Sequence, residues 1–360
     1  MILMEMSDRL NRPNLVVLFG GAGPEHEVSK MSAAAIVSNM PEDKYNIIPV
    51  YITKEGEWLL YDGAVDNLSN IKWSRFGTKA VLSPDRSDKG LLRIVNDKVK
   101  IVPVDIVFPV LHGMYGEDGT IQGLCELAGI PYVGCGVFSS AVCIDKAATK
   151  SVVSGLKVKQ VDSLVLNASE TADFKKIERK VRSKIGYPCF VKPSKTGSSI
   201  GITKVSEKSE LLNAVENALE FDNKIIIEKM VAGREFSCAI LGRYDGEVSA
   251  TVAGEILADG EFYDYDAKYI KSGSRTVIPA DISEEMHEKI KEMSIKIFKA
   301  TECSGLARAD FFIEDETGNI LFNEINTMPG FTKISMFPML WAEMGVNFSD
   351  LIDRLILMSI

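Results

Sequence analysis

The sequence lacks most of what would place it at a membrane, on nucleic acid or around a transition metal. No run approaches the roughly 20 apolar residues of a bilayer span. The most apolar stretch, Ile101 to Leu111, is broken by Pro103, Asp105 and Pro109. Basic residues are outnumbered, 41 against 50 acidic, for a net charge of −9. The positive footprint needed by nucleic acid or an anionic membrane is therefore missing. The histidines number three and are dispersed, which excludes a histidine metal cluster. Six cysteines (Cys125, Cys135, Cys143, Cys189, Cys238, Cys303) form no C-x-x-C pair. That is the pattern of reduced, buried thiols in the cytoplasm, not of a disulfide framework or zinc site. The first residues lack the charged, apolar, then small order of a secretory signal. There are no internal repeats or low-complexity tracts, and no Gly-Lys-[Ser/Thr] opens a helix as a Walker A loop would.

What is present is the composition of a folded soluble protein, 46% hydrophobic and 25% charged. At 360 residues, two or three domains are expected. Asn14 to Phe19 is a short apolar run ending in Gly20-Gly21, followed by helical spacing from Glu27 to Met40. Strand, glycine turn and helix open a parallel α/β sheet. Further strands are expected at Tyr45–Val50 and Ile101–Val107, with a polar, turn-rich insertion from Thr53 to Lys98 between them. Helices follow at Thr120–Ala128 and Ser139–Ser154. A second α/β unit holds helices at Thr171–Lys184 and Lys208–Leu219 and strands at Cys189–Lys192, Gly201–Val205 and Lys224–Glu228. The remainder reads as strands Glu235–Leu241, Glu247–Ala253 and Thr276–Pro279, helix Glu284–Ala300, a hairpin and a closing helix. The expected division is an N-terminal α/β domain over 1–139, a small central domain over 140–232 and a C-terminal domain over 233–360.

The hairpin carries the most chemistry. Arg308-Ala-Asp310-Phe-Phe-Ile and Ile320-Leu-Phe-Asn-Glu324-Ile-Asn326 flank a turn containing Gly318 and Asn319. Strand side chains alternate faces, so a register symmetric about Thr317 sets Asp310 opposite Glu324 and Arg308 opposite Asn326, with Phe312 and Phe322 on that same side. Like charges directly opposite are destabilising. A carboxylate pair with an amide oxygen is also the partial ligand set that Mg²⁺ takes together with substrate phosphates. The alternative is a solvated hairpin face; apolar neighbours and the Thr327–Thr332 turn favour the metal.

Phe190-Val-Lys192-Pro-Ser-Lys-Thr-Gly197-Ser198-Ser199-Ile-Gly201 is a strand and a glycine-serine loop. Its backbone N–H groups and hydroxyls suit either an ordinary turn or a flap over a triphosphate. Lys192 and Lys146, each in an apolar setting, either snorkel to water or neutralise a bound anion. Ile225 to Glu235 is a buried strand running into a linker, where edge groups can read an adenine, Glu228 its amino group, and Glu235 can bond a ribose. Gly20-Gly-Ala-Gly-Pro-Glu25 fails the dinucleotide fingerprint because His26 holds the third glycine position. Glu25 instead points from a strand-to-helix turn, suited to an ammonium group, and His112 follows a buried strand in the same topological place. Phe262 to Tyr269, rich in tyrosine and carrying Lys268, reads as either a surface hairpin or a lid.

Taken in order, these segments resemble the ATP-grasp superfamily, and within it the D-alanine–D-alanine ligases of bacterial cell-wall synthesis. The likeness rests on Gly20-Gly-x-x-x-Glu25-x-x-Val-Ser, His112-Gly-x-x-Gly-Glu-Asp-Gly-Thr, Ile144-Asp-Lys146, Lys192-Pro-Ser-x-x-Gly-Ser-Ser, Phe262-Tyr-Asp-Tyr-x-x-Lys268-Tyr269, Gly305-x-x-Arg308-x-Asp310 and Asn323-Glu324-x-Asn326-Thr-x-Pro-Gly330. The resemblance implies an ATP-grasp fold behind an open parallel α/β domain. It implies ATP held by Lys146, Lys192 and Lys268 under the loop with Ser198 and Ser199. Glu228, Lys229, Val231 and Glu235 would surround adenine and ribose, and Asp310, Glu324 and Asn326 would hold two Mg²⁺ (or Mn²⁺) ions. Glu25 would take the ammonium of the first D-alanine, linked through Ser198 to Tyr269. Arg308 and Gly330 would face an oxyanion, and His112, Ser335 and Met336 would line the amino-acid subsites. It further implies a cytoplasmic homodimer. The chain departs from the family's habits at Gly23, where many members have serine, and at Lys333-Ile334. Tyr269 resembles dipeptide-forming members, while D-lactate users tend to histidine there; D-serine users often place arginine at the Met336 position. The alternatives are a D-serine or D-lactate ligase of the same family, another ATP-grasp amide ligase of the glutathione-synthetase kind, or a catalytically dead nucleotide-binding protein, against which the intact Arg308, Asp310, Glu324 and Asn326 speak.

Overall fold

A computed structural model describes residues 12–41, 43–61, 77–258 and 274–360. β1 (Asn14–Gly20) buries Leu15 through Phe19 without interruption, as a strand covered on both faces must. Gly20 has φ +92°, and a Cβ there would lie 2.2 Å from the Ile52 carbonyl, so only glycine lets the chain leave the sheet at this point. α1 (His26–Asn39) follows, burying Val28, Ala33, Ile36 and Val37 at helical spacing. β2 (Asn46–Ile52) lies parallel to β1. The polar insertion is an antiparallel meander: β3 (Trp58–Tyr61), β4 (Gly77–Leu82), β5 (Gly90–Val95) and β6 (Lys98–Pro103). β7 (Ile106–Val110) then returns to the far side of β1, parallel to it, giving the order β6-β5-β4-β3-β2-β1-β7. The single strand expected over Ile101–Val107 is thus two. Asp105 turns the chain between them, its carboxylate accepting from the Asn14 N–H at 2.7 Å.

After α2 (Thr120–Ala128), the helix expected over Ser139–Ser154 is also two, α3 (Val137–Ile144) and α4 (Lys146–Ser154). Asp145 is extended and caps α4 by accepting from the Ala148 N–H. The second sheet has the order β10-β9-β11-β8, from β8 (Ser163–Asn167), β9 (Cys189–Pro193), β10 (Thr203–Val205) and β11 (Lys224–Lys229). α5 (Phe174–Lys184) and α6 (Leu211–Leu219) share its core.

The third sheet is built on β12 (Gly233–Arg243), with β13 (Val248–Ala250), β14 (Gly254–Ala258) and β15 (Ser274–Val277) beyond it. The strand expected over Glu247–Ala253 keeps only the three residues of β13. α7 (Glu284–Ala300), capped by Ser283, covers one face. β16 (Ser304–Glu314) and β17 (Ile320–Asn326) form the acidic hairpin. α8 (Met336–Glu343) and α9 (Phe348–Leu357) close the chain and bury Phe337, Leu340, Leu351 and Leu355 in one cluster with Leu15, Val17 and Ile36 of the first sheet layer. First and third sheets therefore share a core. Among the described residues, no helix is long and apolar enough to cross a membrane.

The hairpin register is as anticipated at its functional end: Arg308 faces Asn326 and Asp310 faces Glu324. Beyond Asp310 the pairing slips, with Phe311 opposite Phe322, leaving Asn323 as the extra residue of a bulge. Phe322 is thereby moved off the carboxylate side, where simple alternation puts it. Its ring is fully buried, edge-on to Phe311 with centroids 5.9 Å apart. Phe322→Ala is expected to destabilise the fold by about 3–5 kcal/mol in a denaturant titration, the cost of a core aromatic. A site-face phenylalanine would lose far less.

Candidate active site

β1 and β7 are parallel neighbours, and the helices that follow them, α1 and α2, cover opposite faces of β1, so the C-terminal ends of the two strands border the crevice where open α/β sheets bind ligands. Glu25 projects from the β1 loop and is 7% exposed. Two glycines close around it: a Cβ on Gly113 would fall 1.8 Å from its Oε2, and one on Gly197 2.9 Å from its Oε1. Ser198 donates from the glycine-serine loop to Oε1 through a short hydrogen bond. Ser198 and Ser199 both have positive φ, a backbone cost that tends to gather at functional sites. Burial, then the neighbouring Glu117 charge, push the Glu25 carboxyl above its ordinary range.

Glu117 has a long-range role that the residues around it in sequence do not signal. Its Oε1 accepts from Gly113 N–H at 3.0 Å and its Oε2 from Met328 N–H at 3.3 Å. His112 spans the same gap, its Nδ1 2.9 Å from the Met328 carbonyl and its Nε2 3.0 Å from Ser32 Oγ. Burial opposes the charge on His112, but Glu117 outweighs it and the net shift is upward. These two residues bind the β7 loop to the turn leaving the acidic hairpin, which carries Gly330. His112 is thus a brace with both ring nitrogens engaged.

Asp310, 2% exposed, accepts from Arg308 at 2.8 and 2.7 Å, from Asn326 Nδ2 at 3.0 Å and from Ser237 Oγ at 2.7 Å. Lys146 links this hairpin to the loop: its Nζ is 3.6 Å from Glu324 Oε2 and donates to the Thr196 carbonyl at 2.7 Å. On the second sheet, Lys192 donates to Glu228 Oε2 at 2.6 Å, while Lys150 Nζ lies 2.8 Å from Oε1. Burial would raise the Glu228 pKa; Lys192 and Lys150 overcome it and hold it at about 2. Lys192 is itself shifted upward, burial being outweighed by Glu228. Lys229 is exposed at the end of β11, Val231 half-buried in the linker and Glu235 half-buried on β12. Ser335 Oγ is 2.8 Å from Thr332 Oγ1, and a Cβ on Gly330 would lie 3.1 Å from it. Met336 is buried in the large core, its sulfur against Gly254. Lys268 and Tyr269, with the rest of the expected lid, lie outside the described residues.

The six cysteines are unpaired and buried, as their scatter implied. Among the described residues no group of three His, Cys, Asp or Glu side chains could hold a metal by itself. Two facing carboxylates and an amide are a partial cage, which fits a hard cation completed by phosphate oxygens.

Lys192 and a glycine-serine loop on one sheet, joined by Lys146 of α4 to an acidic hairpin on another and set beside an open parallel sheet, define the ATP-grasp class. Sequence models of the D-ala D-ala ligase N-terminus and C-terminus match residues 14–135 and 152–357. The chain belongs to the D-ala D-ala ligase family. The D-alanine--D-alanine ligase of Caldicellulosiruptor bescii is 46% identical over 352 residues, covering 98% of this chain and 96% of the relative. Among solved structures, the VanG D-Ala:D-Ser ligase of Enterococcus faecalis has a TM-score of 0.88 at 40% identity, covering 97% of this chain and 100% of that one. The D-alanine-D-alanine ligase of Coxiella burnetii has a TM-score of 0.82 at 32% identity, covering 97% and 95%.

Proposed function

We propose that the protein joins two D-alanine molecules to D-alanyl-D-alanine at the expense of ATP, through a D-alanyl phosphate, for peptidoglycan precursor synthesis. The observation that carries this is the convergence of Glu25, Ser198, Lys146 and the Asp310–Glu324 hairpin on one crevice. Glu25 holds the ammonium of the first D-alanine, whose carboxylate attacks the γ-phosphoryl group. Lys146, Lys192 and Lys268 neutralise the phosphates beneath the Ser198–Ser199 loop. Glu228, Lys229 and Val231 meet the adenine and Glu235 the ribose. Asp310, Glu324 and Asn326 would hold two Mg²⁺ (or Mn²⁺) ions, whose charge would offset that of the phosphates. The amine of the second D-alanine, received near Ser335 and Met336, then displaces phosphate. Arg308 and the Gly330 backbone stabilise the oxyanion of that step. We assign Tyr269 to the catalytic set with Glu25 and Ser198, and exclusion of water from the site protects the acyl phosphate. We read the chain as three units, 1–139, 140–232 and 233–360, working as a cytoplasmic homodimer.

A D-alanine–D-serine ligase is the second reading, favoured by the likeness to the Enterococcus enzyme. Phosphate release and product analysis with D-alanine alone, then with D-serine or D-lactate added, separate the two. Dipeptide from D-alanine alone supports the first reading; its absence overturns it. The raised pKa of Glu25 sets a pH dependence. Protonation removes the charge that holds the ammonium, so kcat/KM for the first D-alanine falls on the acid side, starting above the usual carboxyl range. Glu117→Gln removes one cause of the shift and is expected to move that acid limb to lower pH.

A further inference from the structure

α4 carries two lysines one turn apart on the same face. Lys146 reaches the loop and Glu324; Lys150 reaches the other end of the nucleotide site. The Lys150 ammonium is buried, donates to the Val161 carbonyl at 3.2 Å and lies 2.8 Å from Glu228 Oε1. Glu228 is 3% exposed and has Lys192 on its other oxygen. Lys192 is the residue assigned above to phosphates. If it alone balanced Glu228, then turning toward phosphate would leave a buried carboxylate without a counter-charge, which is strongly unfavourable. Lys150 stands on a helix, anchored to a backbone carbonyl, so its charge stays where it is.

We propose that Lys150 is a specificity-determining positioning residue: it fixes Glu228 as an ionised acceptor and thereby selects a 6-amino purine nucleotide over a 6-oxo one. A carboxylate accepts from an exocyclic amino group but opposes a carbonyl oxygen, two acceptors facing each other without a proton between them. Without Lys150, a neutral Glu228 can donate and tolerates the 6-oxo base. This rests on the reading that Glu228 lies at the base edge.

The test is calorimetric binding of ADP and GDP to the full chain, with kcat and KM for ATP and GTP, in the wild type, Lys150→Met, Lys150→Arg and Glu228→Gln. Lys150→Met is expected to narrow the ADP-over-GDP preference at least about ten-fold, since the unpaired acceptor contact is lost. The catalytic loss should appear in KM for ATP, and Lys150→Arg should restore the preference. A Lys150→Met protein that keeps the wild-type preference while Glu228→Gln loses it overturns the role of Lys150 alone. Glu228→Gln keeping the preference overturns the placement of Glu228 at the base and the proposal with it. Should Lys150→Met fail to fold, as thermal melting would reveal, Lys150→Gln is read by the same criteria.

Discussion

Replacing Glu324 by alanine is expected to reduce turnover by at least about 10³-fold, the scale on which losing preorganised transition-state electrostatics acts, while leaving the thermal midpoint nearly unchanged. The two halves of that result have separate causes. Glu324 lies opposite Asp310 across a strand pair, where like charges repel. Its side chain is 28% exposed, and one lysine partner, Lys146, is 3.6 Å away. A partly exposed pair of this kind is worth about 0–1 kcal/mol, so its loss roughly offsets the relieved repulsion. The group is therefore nearly neutral for folding and retained for chemistry. ADP release under saturating substrates, alongside a thermal melt, checks both halves; unaltered turnover would remove Glu324 from the metal site.

Gly113→Ala is expected to be as damaging as loss of Glu25 itself. An alanine methyl at position 113 would fall 1.8 Å from Glu25 Oε2, so the carboxylate must leave its place. The backbone there also has φ +67°, where an L-residue is strained by roughly 1–2 kcal/mol. Losing a buried charge partner costs about 2–5 kcal/mol in binding. KM for the first D-alanine should rise by about 10²–10³-fold, in line with that range. Gly197→Ala, whose methyl would meet Oε1 at 2.9 Å, should have a smaller effect of the same kind. Ordinary D-alanine affinity in Gly113→Ala would mean that Glu25 is not the ammonium site.

Much of this arrangement was legible in the residues because it rests on local pattern. The apolar run before Gly20, the glycine turn and the helix after it specify the first unit of the sheet. The pairing of Asp310 with Glu324 follows from strand alternation and a turn of fixed length. What local pattern could not reveal depends on side chains meeting across the chain. The bulge at Asn323 turns Phe322 onto Phe311 in the core, a partner that alternation alone does not name. The break at Asp145 is invisible in helical periodicity. There its carboxylate is held by Lys224 of β11 and by Ser194 just past β9. Glu117 and Lys150 look like ordinary surface charges in sequence, yet each is buried or nearly so by partners more than 70 residues away. Met336 is buried in the large core, which its place after the Pro-Gly turn does not reveal.

A carboxylate bound in this crevice is expected to be phosphorylated before the new peptide bond forms. D-alanine labelled with ¹⁸O in both carboxylate oxygens tests it most directly, with the released inorganic phosphate analysed by ³¹P NMR. One ¹⁸O per phosphate, transferred with each dipeptide made, is the predicted result. Unlabelled phosphate accompanying dipeptide formation would contradict it.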